Sequence, residues 1–431
     1  MRKIINLLQN KSNVDEYTIT EIKTSSTELF FIKEELQMNR GKDIEEIVVT
    51  VYRNFEEDGK KYKGSSTTKL DPTMNLEEME KQIDTASLAA SFVKNEFFNL
   101  EQPSTEVAPI IPSKFGEGAV IENISNLVKD LYEENNQFGS FINSTEFFIN
   151  KKDIRFINSN GIDVSYTKYI GEIELITEAN GETESIELYD VLEFSDYVKD
   201  SIKNAILEAL KFASLRAKAI PMPKVENLPV IMNGIAAQGL WNYYGFSASA
   251  GNKYDNLHNN NVGDNIQGET TGDKVTITRK PYLENSSVSQ YYDQFGTLLK
   301  DVVMVKDGVI ENLLANRRYA DYLDIPCTGG INNNVVNGGS YTEKELKVPP
   351  YLEILKFSAF QSDVMTGNFG GEFRLGIYND GTKEIPVTLG SIAANIKEVQ
   401  DKMYLSKELA KDNNFIGPKF IKFDNIRIAG N

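Results

Sequence analysis

Three prolines fall within nine residues in the run Pro221-Met222-Pro223-Lys224-Val225-Glu226-Asn227-Leu228-Pro229, and this run most constrains how the chain can fold. Each proline fixes its own φ and removes a backbone donor, so neither a helix nor a central strand can pass through them. The stretch reads as an extended linker, 221–229, between an N-terminal unit, 1–220, and a C-terminal unit, 230–431. A chain of 431 residues has room for two or three domains of ordinary size.

Before the linker, strand and helix signals alternate. Residues 44–52 are a β-branched run of one strand length that ends at the turn signal Glu57-Asp58-Gly59. Asn75 followed by Glu78 makes an Asn form of the capping box. Leu76, Met79, Ile83, Ala86, Ala90, Val93 and Phe97 then recur at steps of three and four, giving one apolar stripe. A second helix is expected after Gly118, with Ile121, Ile124, Leu127, Val128 and Leu131 on one face. From Phe147 to Leu192 the pattern becomes an antiparallel meander, punctuated by Asn158-Ser159-Asn160-Gly161, Ile170-Gly171 and Asn180-Gly181. Ser195 is placed to cap the long helix that follows, whose stripe is Val198, Ile202, Ile206, Ala209, Ala213 and Ala217.

Beyond the linker the chain is richer in Gly and Asn and reads mainly as strands: 274–280, 302–306, 309–314, 352–358, 372–378 and 420–428. One late helix is expected at 392–409. The fold class is therefore α+β: an N-terminal mixed strand-helix domain with long helices and an antiparallel meander, then a mainly antiparallel β-rich domain with one late helix.

Charge narrows the partners. With 46 Lys+Arg against 63 Asp+Glu the formal charge is 46 − 63 = −17, and basic residues are dispersed among acids. Nucleic-acid binding driven by phosphate neutralisation is excluded as a direct role. No apolar run reaches the roughly 18 residues that cross a bilayer, and Met1 to Asn10 breaks off too soon for a signal peptide, so the expectation is a cytoplasmic chain without a membrane partner. The single cysteine, Cys327, excludes an internal disulfide.

The search for chemistry is mostly negative. A zinc hydrolase commonly sets two histidines on one helix face, and this chain has one histidine, His258, in an Asn-rich loop. A solvated loop histidine is its plain reading. A nucleophilic Cys327 activated by His258 is the low-ranking alternative, because a lone cysteine is more often a small buried hydrophobe. No Gly-x-Ser-x-Gly elbow and no Gly-x-x-x-x-Gly-Lys-Ser/Thr phosphate loop is present. The only tryptophan stands in a dense aromatic patch just after the linker, Trp241-Asn242-Tyr243-Tyr244-Gly245-Phe246. Core packing is one reading of it. The wall of a groove that receives an extended peptide is the other.

Several ordered segments together resemble the TldD/PmbA family, the so-called modulators of DNA gyrase, whose paired subunits form a metallopeptidase. Pro229-Val230-Ile231-Met232 with the Gly234-to-Phe246 segment is similar to the opening of that family's C-terminal domain, and Lys306-Asp307-Gly308-Val309-Ile310 to its K-D-G hairpin. Thr366-Gly367-Asn368-Phe369, Gly376-Ile377-Tyr378-Asn379-Asp380-Gly381, Ile385-Pro386-Val387 and Ile392-Ala393-Ala394-Asn395 resemble its T-G-[DN]-F, I-x-N-G, Y-P-V and I-A-G-N series. In the N-terminal half only Asn158-Ser159-Asn160-Gly161 is similar, to an N-S-x-G turn.

The departures decide what the resemblance implies. The metal-bearing branch carries His-Glu-x-x-x-His soon after the linker, whereas the matching positions here are Trp241, Asn242 and Phe246. That branch also has a cysteine ligand after the T-G-[DN]-F block, and no cysteine follows Cys327 here. The chain thus resembles the PmbA (TldE) branch, without a metal of its own. The implied role is a non-catalytic subunit that shapes a chamber and presents peptide or unfolded protein to zinc on a TldD-like partner, as a heterodimer. The alternative is a homodimeric peptide- or protein-binding regulatory module without proteolysis. Trp241, Asn242, Tyr243, Phe246, Thr366, Gly367, Asn368 and Phe369 are the candidate groove or vacant-site positions, with His258 and Cys327 behind them.

Overall fold

The computed structural model describes residues 1–430 except Ala119, Thr183, Glu226 and Asn227, so the middle of the proline-rich run lies outside the described residues. Six strands, β1 (Glu16–Ile32), β2 (Glu35–Glu57), β3 (Lys60–Leu70), β4 (Ser140–Asn158), β5 (Asp163–Asn180) and β6 (Ser185–Phe194), form one antiparallel sheet in the order β3-β2-β1-β4-β5-β6. Four helices accompany it: α1 (Arg2–Gln9), α2 (Leu76–Ala90), α3 (Val120–Glu133) and α4 (Lys199–Ala217).

One face of the sheet is closed by helices. At one end Ile83, Ala86 and Ala90 of α2, with Ile4 and Leu8 of α1, bury against Ile19, Ile47, Val49 and Val51. At the other, α3 and α4 set Ile124, Leu127, Leu131, Ile202, Ile206 and Leu210 on Phe147, Ile149, Ile173 and Leu175. Each of these buried Ile, Leu, Val and Phe side chains contributes about 1.5–3 kcal/mol, so packing fixes the helices more firmly than propensity does. The opposite face meets the C-terminal half, where the rings of Tyr166 and Tyr292 lie 6.4 Å apart.

From Ile220 onward the strands belong to two further sheets. The six-stranded one contains 277–280, 302–306, 309–310, 333–336, 409–412 and 415–418, and the ten-stranded one is centred on 368–379. Trp241, Tyr244, Ile277, Met304, Phe369, Phe373 and Phe415 join them in a common core. Most pairings are antiparallel, with short parallel ones such as 230–232 beside 352–354. The fold class is α+β, as expected. No helix among the described residues is long and apolar enough to cross a membrane.

Several local expectations change. The capping box at Asn75 and Glu78 forms in full. The helix it opens ends at Ala90, so Val93 and Phe97 lie beyond it, and Leu76 is exposed. Ile121 likewise faces outward from α3. Ser195 does not cap α4, which starts four residues later behind Val198; its N–H donates to Asn285 Oδ1 at 3.0 Å instead. Ile170-Gly171 is no turn but mid-strand, because a Cβ on Gly171 would lie 2.2 Å from the Phe194 ring packed over it. The late helix at 392–409 is replaced by a strand, Gly390–Asn395, one helical turn, Ile396–Val399, and two more short strands. Ile392 pairs there with Gly371 and Ile428, and sheet burial overrides helical spacing. Short helices at Asn242–Ser247, Ala250–Tyr254 and Arg317–Leu323 also interrupt the strands. The proline run is laced onto the C-terminal sheet: Ile220–Pro221 pairs with 387–388, and Pro229 O accepts from Leu352 N at 2.9 Å.

Candidate functional site

After strand 230–233 the chain turns at once into helix. Asn233 Oδ1 accepts from the N–H groups of Ile235 and Ala236 at 3.0 and 3.3 Å, and a 3-10 turn, Gln238–Trp241, runs into Asn242–Ser247. This corner buries its large rings. Trp241 and Tyr244 have no exposed surface, and the Tyr244 hydroxyl donates to Gln400 Oε1 at 2.8 Å. Burial raises the hydroxyl pKa of both Tyr243 and Tyr244. Asn242 is exposed, and Phe246 turns its edge to the His258 ring at 5.8 Å.

The Thr366-Gly367-Asn368-Phe369 block is a tight turn held by side-chain amides and a carboxylate. Asp363 Oδ1 accepts from Met365 N and Thr366 N at 3.0 and 3.1 Å, and the Thr366 hydroxyl, with these bonds, holds its pKa below the usual carboxylate range. Gly367 has φ +85°, a conformation that L side chains adopt only at a cost. Asn395 Nδ2 donates to Thr366 O at 3.0 Å and to Asn368 Oδ1 at 2.9 Å, joining the turn to strand 390–395. Lys397 links turn and helix: its Nζ donates to Met365 O at 3.3 Å and lies 5.8 Å from the centre of the Tyr243 ring.

Beside this turn runs an open groove of about 700 Å³. Residues 368–371 run between Gln361 to Asp363 on one side and Ala393 to Asn395 with Glu398 on the other, and Gly370 and Gly371 let the neighbouring backbone close in, since a Cβ on them would lie 2.1 Å from Ile392 O and Ala359 O. Of the candidate residues, Asn368 and Phe369 line it, Thr366 and Gly367 shape the turn at its end, and Trp241 lies in the core beneath, in the same cluster as Phe369. Asp363 and Lys397 were not identified from sequence. An Asp three residues before Thr366 is a recognisable Asx-turn signal, whereas nothing local marks Lys397.

His258 and Cys327 do not form a catalytic pair. His258 Nε2 donates to Ser249 O at 2.9 Å and Nδ1 accepts from Asn260 N at 3.2 Å, so the neutral ring has both nitrogens committed to backbone. Burial lowers its pKa. Cys327 Sγ stands 4.0 Å from Thr297 Oγ1, and burial pushes its thiol pKa up, away from the reactive thiolate.

Zinc requires several convergent nitrogen, sulfur or carboxylate donors. Trp241 and Phe246 supply none, and among the described residues no three His, Cys, Asp or Glu side chains converge where an ion would sit. The residues at these positions do not fit the metal.

Residues 225–430 match the family model of the PmbA/TldA metallopeptidase C-terminal domain. The crystal structure of TldE from Thermococcus kodakarensis superposes with a TM-score of 0.79 at 17% identity, covering 99% of this chain and 100% of that one. A metalloprotease PmbA homolog from Buchnera aphidicola is 22% identical over 89% of this chain and 86% of its own length. An uncharacterised protein from Methanocaldococcus jannaschii is 24% identical over 62% of this chain, and the match spans 65% of that relative, just under two thirds. The ordered C-terminal blocks and the family-model match agree: residues 225–430 belong to the C-terminal domain of the TldD/PmbA family, and the whole chain shares the fold of TldE.

Proposed function

We propose that this chain is the metal-free subunit of a TldD/PmbA-type peptidase assembly, holding an extended peptide in the groove beside Thr366–Phe369 and presenting it to zinc on a partner chain. The observation that carries this reading is the filling of the ligand-bearing positions: Trp241 is sealed in the core and Phe246 packs on His258, while the adjoining groove stays open. Strands 361–362, 368–379 and 390–395 supply a sheet surface against which an extended peptide can lie. The groove's volume is within the range of ordinary ligand sites, roughly 300–1,000 Å³.

The test is reconstitution. The purified chain is mixed with a metal-bearing TldD-like homologue, and both co-elution and peptide hydrolysis are followed. Association with a gain in hydrolysis over the homologue alone is the expected result. A parallel variant, Ala393→Trp, fills the groove from an exposed position and is expected to keep association while cutting hydrolysis about tenfold. No association and no gain removes the proposal. Self-association with peptide affinity but no hydrolysis favours the homodimeric binding module instead.

A further inference from the structure

One row of side chains on the N-terminal sheet lacks partners. In antiparallel register Thr24 on β1 stands opposite Lys152 on β4, and Lys152 stands opposite Lys168 on β5. Residues directly opposite share a face, so the three side chains rise side by side from adjacent strands about 4.7–4.9 Å apart. This is the face turned to the C-terminal half. At the end of the row Ser287 O accepts from Lys168 Nζ at 3.3 Å.

The row collects positive charge that nothing in the chain answers. Both lysines are half-buried. Their same-face neighbours along the strand are Asn150 and Ile154 for Lys152, and Tyr166 and Ile170 for Lys168, so no carboxylate stands beside either on its own strand. Among the described residues Lys152 and the Thr24 hydroxyl have no hydrogen bond or ion pair, and Lys168 has the neutral carbonyl of Ser287 alone. Glu46, two strands away, is held by Lys69 at 2.9 Å and feels Lys152 as a weaker charge. Like charges set directly opposite destabilise a sheet, and desolvation sharpens the cost. In a chain with 63 acids against 46 bases, two adjacent lysines that no acid meets stand out.

We propose that Thr24, Lys152 and Lys168 bind a phosphate group, with the two ammonium groups and the hydroxyl donating to its oxygens. Each ammonium carries three donors, and donors arriving from three strands suit a tetrahedral group with several acceptor oxygens better than a planar carboxylate. A phosphate monoester also brings a charge of about −1.5 to −2, which answers two lysines at once. The net charge of −17 disfavours a long polyanion, so the ligand is free phosphate or a small phosphomonoester. Burial, and then the charge of Lys152, pushes the pKa of Lys168 down, a penalty that a bound anion relieves.

Calorimetric titration of the full-length chain in a phosphate-free buffer, without any partner, tests this independently of the assembly proposed above. The probes are sodium phosphate and glycerol phosphate, each compared with sodium chloride at matched ionic strength. At least one probe is expected to bind where chloride does not, and Lys152→Met and Lys168→Met are each expected to weaken that binding by about tenfold or more. Each of these variants removes one of two like charges, so neither should lower the Tm in this buffer, which separates lost binding from lost folding. Lys151→Met, on the opposite face and paired with Asp153, is expected to leave binding unchanged. Binding of phosphate alone identifies the free ion as the ligand, and binding of glycerol phosphate alone identifies a phosphomonoester. Binding of both shows that the phosphate group itself is what the row holds. No binding beyond that of chloride, affinity unchanged in both lysine variants, or an equal loss in Lys151→Met overturns the proposal.

Discussion

Lys168 carries the sharpest prediction about stability. It stands on β5, on the face turned to the C-terminal half, where its Nζ donates to Ser287 O at 3.3 Å and no carboxylate among the described residues pairs with it. Burial, reinforced by the like charge of Lys152, pushes its pKa down from 10.5 to about 8. In the unfolded chain the same lysine keeps its proton up to its ordinary value. Between about 8 and 10.5 the unfolded state therefore binds more protons, so stability rises with pH across that window, and below it the penalty is complete. The interval 10.5 − 8 = 2.5, at about 1.36 kcal/mol each, gives about 3.4 kcal/mol, and water reaching the half-buried head group trims this to about 2 kcal/mol. Lys168→Met keeps the apolar stem and removes the charge. Urea unfolding at about pH 7 is expected to find the variant more stable by about 2 kcal/mol, with the advantage gone by about pH 10.5. The background titration of other groups cancels in the difference between the two proteins. A variant less stable at neutral pH, by an amount that does not change with pH, would refute the reasoning and show that the bond to Ser287 outweighs the cost of burying the charge.

A different lysine should behave in the opposite way. Lys63 is fully buried, ion-paired with Glu16 at 2.5 Å, and lies 4.7 and 4.9 Å from the ring centres of Phe97 and Phe98. Glu16→Gln strands that cation and is expected to cost about 3–5 kcal/mol, while Lys63→Met, alone or combined with Glu16→Gln, costs about 1 kcal/mol; a denaturant double-mutant cycle measures this, and equal single costs contradict it. Gly367→Ala forces a side chain into φ +85° with its Cβ 3.0 Å from Ile396 Cγ2. The expected loss is about 1–3 kcal/mol, seen as a lower Tm, and an unchanged Tm removes the claim that the turn needs glycine.

What the sequence reveals follows from where each signal is written. The box at Asn75 and Glu78 and the stripe of Ile83, Ala86 and Ala90 are complete within α2 itself, so local periodicity finds them. β2 is different. Only its residues from Ile47 onward alternate between core and solvent, while 35–44 are exposed throughout, and a strand with two wet faces has no period to detect. The helix expected at 392–409 shows the reverse failure. Ile392, Ile396 and Val399 have helical spacing, yet Ile392 belongs to a strand because Gly371 and Ile428, remote in sequence, lie on either side of it. Thr366–Phe369 was legible only through its resemblance to a family block, with the turn at Gly367 emerging in the fold; the groove beside it was not legible, since its walls come from three strands. Charge obeys the same logic. A net −17 says that acids must outnumber their partners, but Glu208 on the polar side of α4 reads as an ordinary solvated face. Its surroundings are set at long range: Lys211 lies on its own helix, but Lys356 and Lys419, which also attract it, come from segments remote in sequence.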